Sequence, residues 1–533
     1  MTRHLRARFL VIPVGLVVAA ASLTATAGAS TPGASVQQVK SAKKPNVVFI
    51  LTDDLDLNSY LDPSRFPKVN SQLVQKGTTF SNFFVTDSLC CPSRSSILRG
   101  QYVHQHDVLG NLPPSGGYGK FHTNGDEKST IATWMHDSGY RTGLLGKYLN
   151  GYPETVAPTF VPPGWDEWDS PTTGGNPYSE YNYRLNENGR LVRYGSTPQD
   201  YLVDVLSRKS SEFIQQKNDK PFFLYVAPYV PHQPATPAPR YADAFPGVQA
   251  PRTPSFNEAD MSAEPQWLQN RPLLTDPQIS TIDQLYRKRL QSMLGVDDLV
   301  ENVVNTLRQT GQLDNTYIVL GSDNGFHLGQ HRLPPGKMTA FDEDIHVPLV
   351  VRGPGVPEGK KVDDLAMNID LAPTFADLGG AKLPSFVNGR SLASEVHGKK
   401  PDSGRKAVLV EHYAESGRRQ GRKKAAAAAQ QDPDNDANPP NSGTPAAGAQ
   451  APAVRRGQFQ PLGLPEYAAL RTDRYTYVEY VTGERQLYDL RTDPDQLHNV
   501  VATADPKLVQ GLAKQLSALR SCKGGGCRTV DRG

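Results

Sequence analysis

Eleven consecutive residues, Cys90-Cys91-Pro92-Ser93-Arg94-Ser95-Ser96-Ile97-Leu98-Arg99-Gly100, carry the densest chemistry in the chain. Pro92 suits the first turn of a helix, and Gly100 suits its end. A helix opening here turns its unbonded N–H groups and the positive end of its dipole toward Cys90, which makes an anion site. Arg94 follows Cys90 by four residues, so one helical turn brings it to the same face. Taken alone, the segment reads in two ways. It is a thiolate nucleophile activated at a helix N-terminus, or it holds a buried structural cysteine.

A second constellation bears on that choice. Asp53-Asp54 and Asp323-Asn324 each follow an apolar run and together offer four oxygen donors. Two adjacent acids at a strand end repel one another unless a cation lies between them. Oxygen-only ligands favour Ca²⁺, with Mg²⁺ the second choice, over zinc. Each pair by itself is also an ordinary helix cap. His104, His106, His327 and His331 lie close in sequence to these segments. Each is a candidate for substrate contact or proton transfer, or else a loop histidine bonded locally.

The elements that must position these groups are legible as apolar runs. Asn46–Leu51, Pro221–Ala227, Thr316–Leu320 and Val347–Val351 read as buried strands. The first ends at Asp53, the second near His232 and the third at Asp323. Gln278–Gln309 has apolar residues at helical spacing. Alternating strands and helices predict an α/β sheet with helices on both faces, where ligands collect at the carboxyl ends of strands. Tyr467–Leu490 alternates aromatic and polar residues, which predicts an antiparallel sheet in a smaller C-terminal subdomain. Pro506–Leu519 reads as a closing helix. Residues 417–457 lack any apolar period and read as a disordered insertion. Trp165, Trp168 and the tyrosines of Tyr178–Tyr183 suit either a sugar-binding rim or a core.

The chain has 533 residues, 38% hydrophobic and 21% charged, with 44 prolines and 46 glycines. That composition excludes a collagen, a coiled coil and a wholly disordered chain. Its 57 basic and 54 acidic side chains give a net charge of +3. No basic excess of the kind that marks nucleic-acid proteins is present. The surplus sits in Arg3, Arg6 and Arg8, ahead of an apolar run to about Ala21 and an A-x-A site ending at Ala27 or Ala29. This pattern predicts a signal peptide over 1–29 and a secreted, extracellular chain with no stable membrane span. The other expected segments are a flexible tail over 30–44, a catalytic domain over 45–400 and a C-terminal subdomain over 458–533. Four cysteines are too few for a disulfide scaffold, although the Cys522/Cys527 spacing allows a small disulfide loop.

Cys90-Cys91-Pro92-Ser93-Arg94 resembles the C-x-P-S-R signature of type I, formylglycine-dependent sulfatases. The similarity extends to Leu51-Thr52-Asp53-Asp54, Gly146-Lys147-Tyr148-Leu149-Asn150, Pro162-Pro163-Gly164-Trp165, Asp323-Asn324-Gly325 and Leu487-Tyr488-Asp489-Leu490. The doubled cysteine and Gly-Lys-Tyr-Leu-Asn are similar to the branch holding N-acetylglucosamine-6-sulfatases and extracellular heparan endosulfatases. The resemblance implies an alkaline-phosphatase-like fold, with a large mixed sheet flanked by helices. It implies that a formylglycine-generating enzyme oxidises Cys90 to an aldehyde, which leaves Cys91 as a buried thiol and Cys522–Cys527 as a disulfide.

The chemistry it implies is hydrolysis of a sulfate ester. The aldehyde hydrates, and one hydroxyl attacks sulfur. The second hydroxyl then loses its proton and sulfate is expelled. The implied metal ligands are Asp53, Asp54, Cys90, Asp323 and Asn324. Arg94, Lys147 and Lys337 are the implied sulfate clamps, and His232 the general acid. His104, His327 and His331 are candidate substrate contacts. Many arylsulfatases carry a histidine two residues after the lysine matched by Lys147, whereas this chain has Leu149, so the base for the last step is unassigned. The implied substrate is a sulfated sugar or glycosaminoglycan, with 6-O-sulfated N-acetylglucosamine favoured. A formylglycine-dependent phosphonate or phosphate ester hydrolase is the alternative with the same site. A non-catalytic binder of sulfated glycans with unmodified Cys90 is the alternative of another class.

Overall fold

The computed structural model describes residues 43–399, 404–414, 459–460 and 462–533. The expected signal peptide, nearly all of the 30–44 tail and the 417–457 insertion lie outside the described residues.

The strand Asn46–Thr52 is central because both of its faces are apolar. Val47, Phe49 and Leu51 join one core layer, and Val48 and Ile50 join the other. Strand geometry alone explains this split, since successive side chains point to opposite faces. The same alternation in Phe222–Ala227 and Thr316–Ser322 sandwiches the sheet between two helical layers. One layer holds the helices Leu202–Gln215 and Asp276–Gln309. The other holds Cys90–Arg99, Ile131–Asp137 and Leu371–Gly379.

The main sheet has ten strands, in the order Lys360–Val362, Thr78–Phe80, Leu349–Arg352, Thr316–Ser322, Asn46–Thr52, Phe222–Ala227, Arg141–Gly146, Glu167–Pro171, Arg184–Glu187 and Arg190–Arg193. The five strands from Thr316–Ser322 to Glu167–Pro171 run parallel. Leu349–Arg352, Arg184–Glu187 and Arg190–Arg193 run antiparallel to their neighbours, so the sheet is mixed. Register pairs Thr52 with Ser322 and Ile50 with Val226, which brings the parallel strands to an end along one edge.

Of the boundaries that differ from the sequence reading, two have a local physical cause. The strand expected over Val347–Val351 starts at Leu349. Val347 N–H instead bonds the Phe83 carbonyl at 3.0 Å, and Pro348 has no N–H to offer the ladder. The helix read from Pro92 already begins at Cys90. Pro92 is its third residue, where a missing N–H leaves nothing unpaired.

A second, four-stranded antiparallel sheet lies near the C-terminus, in the order Ala407–His412, Tyr467–Thr472, Tyr475–Tyr480 and Arg485–Asp489. Its edge strand, Ala407–His412, precedes the insertion. The helix Pro506–Ser521 packs on this sheet, and a Cys522–Cys527 disulfide closes the short loop after it. Among the described residues, no helix is long and apolar enough to cross a membrane.

Candidate active site

The ends of the parallel strands deliver the acids. Asp53 follows Asn46–Thr52 and Asp323 follows Thr316–Ser322. Asp323 N–H bonds the Thr52 carbonyl at 3.1 Å, which continues the ladder one step and sets the two carboxylates side by side. Asp54 has φ 66°, the left-handed region that side chains occupy only when the surroundings hold them there. Its N–H bonds Asp323 Oδ1 at 3.1 Å, and its carbonyl accepts from the guanidinium of Arg289.

The next strand supplies Lys147. Gly146 has φ 104°, and a Cβ there would lie 2.1 Å from the Ala227 carbonyl oxygen. Glycine therefore permits the close strand exit in which Lys147 N–H bonds that same oxygen at 2.8 Å. His232 lies in the turn after Phe222–Ala227. Asp53 N–H reaches the Val230 carbonyl there at 3.3 Å.

Opposite the strand ends, the fully buried helix Cys90–Arg99 presents its first residue. Gly100 ends it in a left-handed cap, φ 64°. Cys90 Sγ lies 3.2 Å from Asp53 Oδ1 and 2.9 Å from Lys337 Nζ. Lys337 Nζ also donates to Asp54 Oδ1 at 2.7 Å, and Lys147 Nζ donates to Asp53 Oδ2 at 2.6 Å. Arg94 Nε donates to Asp323 Oδ2 at 2.7 Å, and Ser93 Oγ donates to the Asp323 carbonyl. Nδ1 of His232 is held by the Gln233 carbonyl at 2.7 Å, and Nε2 faces Asp54 Oδ2 at 3.7 Å. A carbonyl partner makes Nδ1 the donor, so Nε2 is the atom left to exchange a proton.

This cluster brings together Asp53, Asp54, Cys90, Arg94, Lys147, His232, Asp323, Asn324 and Lys337, all buried. Burial pushes the Asp53 carboxyl up, but Lys147, His232 and Arg94 together outweigh it and hold the carboxyl below its usual range. For Asp323 burial wins over Arg94, and the carboxyl is raised.

Ligand atoms of Asp53, Asp54, Cys90 and Asp323 all lie within 4.8 Å of one another, as do those of Asp54, Cys90 and His232. Two further observations fit a cation here. Asp54 Oδ2 and Asn324 Oδ1 are buried without a hydrogen-bond partner, and Asn324 Nδ2 donates to Asp54 Oδ1 at 2.7 Å, which directs the amide toward the acids. Buried oxygens left unpaired are costly unless something positive joins them. Among these donors the carboxylate and amide oxygens are of the kind that suits a hard cation.

The remaining histidines have partners outside the cluster. His104 Nδ1 bonds Glu411 at 2.9 Å, and its Nε2 faces the Cys522 carbonyl at 3.2 Å, which ties it to the C-terminal sheet. His106 bonds Ser96 Oγ at 3.0 Å. His331 pairs with Glu258 at 2.8 Å and stacks on Phe341. His327 Nδ1 pairs with Asp344 at 3.0 Å. The backbone of His327 also bonds that of Gly336 in both directions, at 2.7 and 3.0 Å, so it braces the loop carrying Lys337. Trp165 and Trp168 belong to the core, packed with Phe223 and Tyr148 respectively, and not to a rim.

One residue escaped the sequence reading. Arg289 is buried and bonds the Asp54 carbonyl, Asp56 at 2.9 Å and the Pro231 carbonyl at 3.2 Å, so it joins the two loops that carry Asp54 and His232. Its signal was a charge placed four residues after Leu285 and four before Met293, on the apolar stripe of the long helix.

A family model described as Sulfatase matches residues 45–381. The chain is 37% identical over 508 residues to N-acetylglucosamine-6-sulfatase of Homo sapiens, covering 91% of this chain and 86% of that protein. It is 38% identical over 360 residues to the extracellular sulfatase SULF-1 homolog of Drosophila melanogaster, covering 66% of this chain and 31% of that protein. Among solved structures, a protein in complex with its substrate D-glucosamine-2-N,6-O-disulfate superposes with a TM-score of 0.69 at 22% identity. That match covers 90% of this chain and 98% of the other, and it shows a shared fold.

Proposed function

This chain belongs to the sulfatase family and is a sulfuric ester hydrolase, and we propose that it removes 6-O-sulfate from N-acetylglucosamine units of sulfated glycans outside the cytoplasm. The observation that carries this reading is Cys90 at a helix start, with Asp53 and Lys337 at its sulfur and Arg94 one turn further on. The sugar assignment is supported by similarity to N-acetylglucosamine-6-sulfatase over most of both chains. Export is supported by the 1–29 pattern and by the extracellular relative. The division into catalytic residues 45–400, insertion 417–457 and C-terminal 458–533 belongs to the same proposal. The C-terminal sheet, however, takes its first strand from Ala407–His412.

Asp53, Asp54, Asp323 and Asn324, with the side chain at position 90, are the residues that would hold Ca²⁺. Once matured by a formylglycine-generating enzyme, position 90 supplies a hydrated aldehyde whose one hydroxyl attacks sulfur and whose other, on deprotonation, lets sulfate leave. The chain's own groups do the rest. Arg94, Lys147 and Lys337 are the cations within reach of the sulfate oxygens, and they offset the charge that develops there in a water-poor setting. His232, oriented through Nδ1 by Gln233, offers Nε2 to the departing sugar oxygen as general acid. Asp323, whose carboxylate lies within 4.8 Å of the Cys90 sulfur, is placed to take the proton of the attacking hydroxyl.

The test is sulfate release from N-acetylglucosamine-6-sulfate, with p-nitrophenyl sulfate and phenyl phosphonate esters in parallel. Turnover of the sugar sulfate above the phosphonate is expected. Preference for the phosphonate, or turnover of the aryl sulfate alone, would overturn the assignment.

A further inference from the structure

The charged cluster is sealed on most sides. Asp53, Asp54, Cys90, Arg94, Asp323, Asn324 and Lys337 are 0% exposed, while Lys147 and His232 retain 2% each. The site therefore comes nearest to solvent where Lys147 and His232 lie. One half-buried side chain, Tyr178, stands against both of them there. Its ring centroid is 4.6 Å from that of His232 and 4.8 Å from that of Tyr229, and Lys147 Nζ lies 5.1 Å from it.

Tyr178 is firmly mounted. It lies in the connection between the strands Glu167–Pro171 and Arg184–Glu187, at the same sheet edge as the acids. Asn176 Oδ1 accepts from Tyr178 N–H at 3.2 Å, and Ser179 Oγ bridges the carbonyls of Asn176 and Tyr181 at 2.7 and 2.9 Å. Buried Glu180 then ties the segment to the helix Leu202–Gln215 by accepting from Leu202 and Val203 N–H groups. Thr173, Gly174 and Gly175, just outside, are exposed.

We propose that Tyr178 is a specificity-determining residue, the platform on which the pyranose ring of the substrate packs while its sulfate sits between Lys147 and the residue-90 side chain. A ring at this place meets the C–H face of a sugar, and it hands the ester oxygen to the adjacent His232 Nε2. The aromatic face suits a sugar and contributes little to a bare sulfate ion. This inference rests on the sulfated-sugar reading above.

The test compares wild type, Tyr178→Phe and Tyr178→Ala, all with full maturation at position 90. For N-acetylglucosamine-6-sulfate, kcat/KM of Tyr178→Ala is expected to fall by about tenfold, mostly through KM, a loss in the usual range for one aromatic contact. Tyr178→Phe keeps the ring and is expected to stay close to wild type. Inhibition by inorganic sulfate is expected to stay unchanged in both variants. A loss confined to kcat, together with a displaced alkaline limb in the pH–rate profile, would mean that Tyr178 only steadies His232, and it overturns the proposal. An unchanged KM in Tyr178→Ala overturns it as well. Wild type that turns over p-nitrophenyl sulfate but not the sugar sulfate overturns the sugar reading itself, a result distinguishable from the other two.

Discussion

Asp370, Asp531, Arg390 and Arg405 form one buried charge cluster of this chain, and Asp53, Asp54, Asp323, Arg94, Lys147 and Lys337 form another. Both balance equal numbers of acids and cations, and both are buried. In the first, every carboxylate oxygen is used. Asp370 accepts from Arg405, from the Arg390 N–H at 2.9 Å and from the Met367 N–H at 2.8 Å, and Asp531 accepts from Arg390 and Arg405. In the second, Asp54 Oδ2, Asn324 Oδ1 and Arg94 Nη2 have no hydrogen-bond partner. The first cluster has both carboxylates fully bonded and joins the C-terminal segment to the main core. The second is left with two oxygens for a cation, which is the signature of a site rather than a staple.

The sharpest way to break the comparison is at Cys90. Cys90→Ser is expected to lower steady-state turnover by at least about 10⁴-fold, because a serine bound to sulfate has no second hydroxyl to expel it. Sulfate release under saturating substrate checks this. Asp54→Asn comes next, with a loss of about 10³-fold in kcat. Calcium at a hundred times its Kd is expected to stabilise wild type by about 2.7 kcal/mol and to leave Asp54→Asn unmoved, as read by thermal unfolding with and without chelator.

Arg405→Met should do the reverse. It strands Asp370 and Asp531 and is expected to lower stability by about 3–5 kcal/mol in urea, while the calcium-dependent gain persists. A pH-dependent effect belongs to His412, which is buried on the C-terminal sheet and stacked on Tyr467. Burial pushes its imidazole down to about 4. The folded state therefore keeps it neutral, and its contribution is intact above pH 6.5 and lost as pH falls toward 4. Between those limits wild type is expected to lose up to about 3 kcal/mol more than His412→Phe, measured as urea midpoints.

The open cluster was largely legible in the sequence, because Asp53, Asp54, Cys90, Arg94, Asp323 and Asn324 stand at the end of an apolar run or at a helix start, while Lys147 and Lys337 were reached only through the family resemblance. Asp53, Asp323 and His232 follow strands that sequence pattern alone locates, and Pro92 and Gly100 frame the helix that presents Cys90 and Arg94. The closed cluster was not legible. Arg405 and Asp531 are 126 residues apart, and no local pattern joins them. The partners of the histidines were hidden for the same reason. His104 finds Glu411 at a separation of 307 residues, and Glu411 sits on the strand Ala407–His412, whose partner lies across the insertion. Arg289 was legible in principle, as a charge on an apolar helical stripe. Trp165 and Tyr178, only 13 positions apart, share a residue class that fits core and rim equally, so only packing separates them.

The central claim is that position 90 works as an aldehyde and not as a thiol. The direct test is the mass of the tryptic peptide Gly77–Arg94 from protein made in its own host. The aldehyde mass is expected, with the sulfur of Cys90 lost and Cys91 unchanged. An intact thiol at Cys90, persisting after coexpression with a formylglycine-generating enzyme, would contradict it.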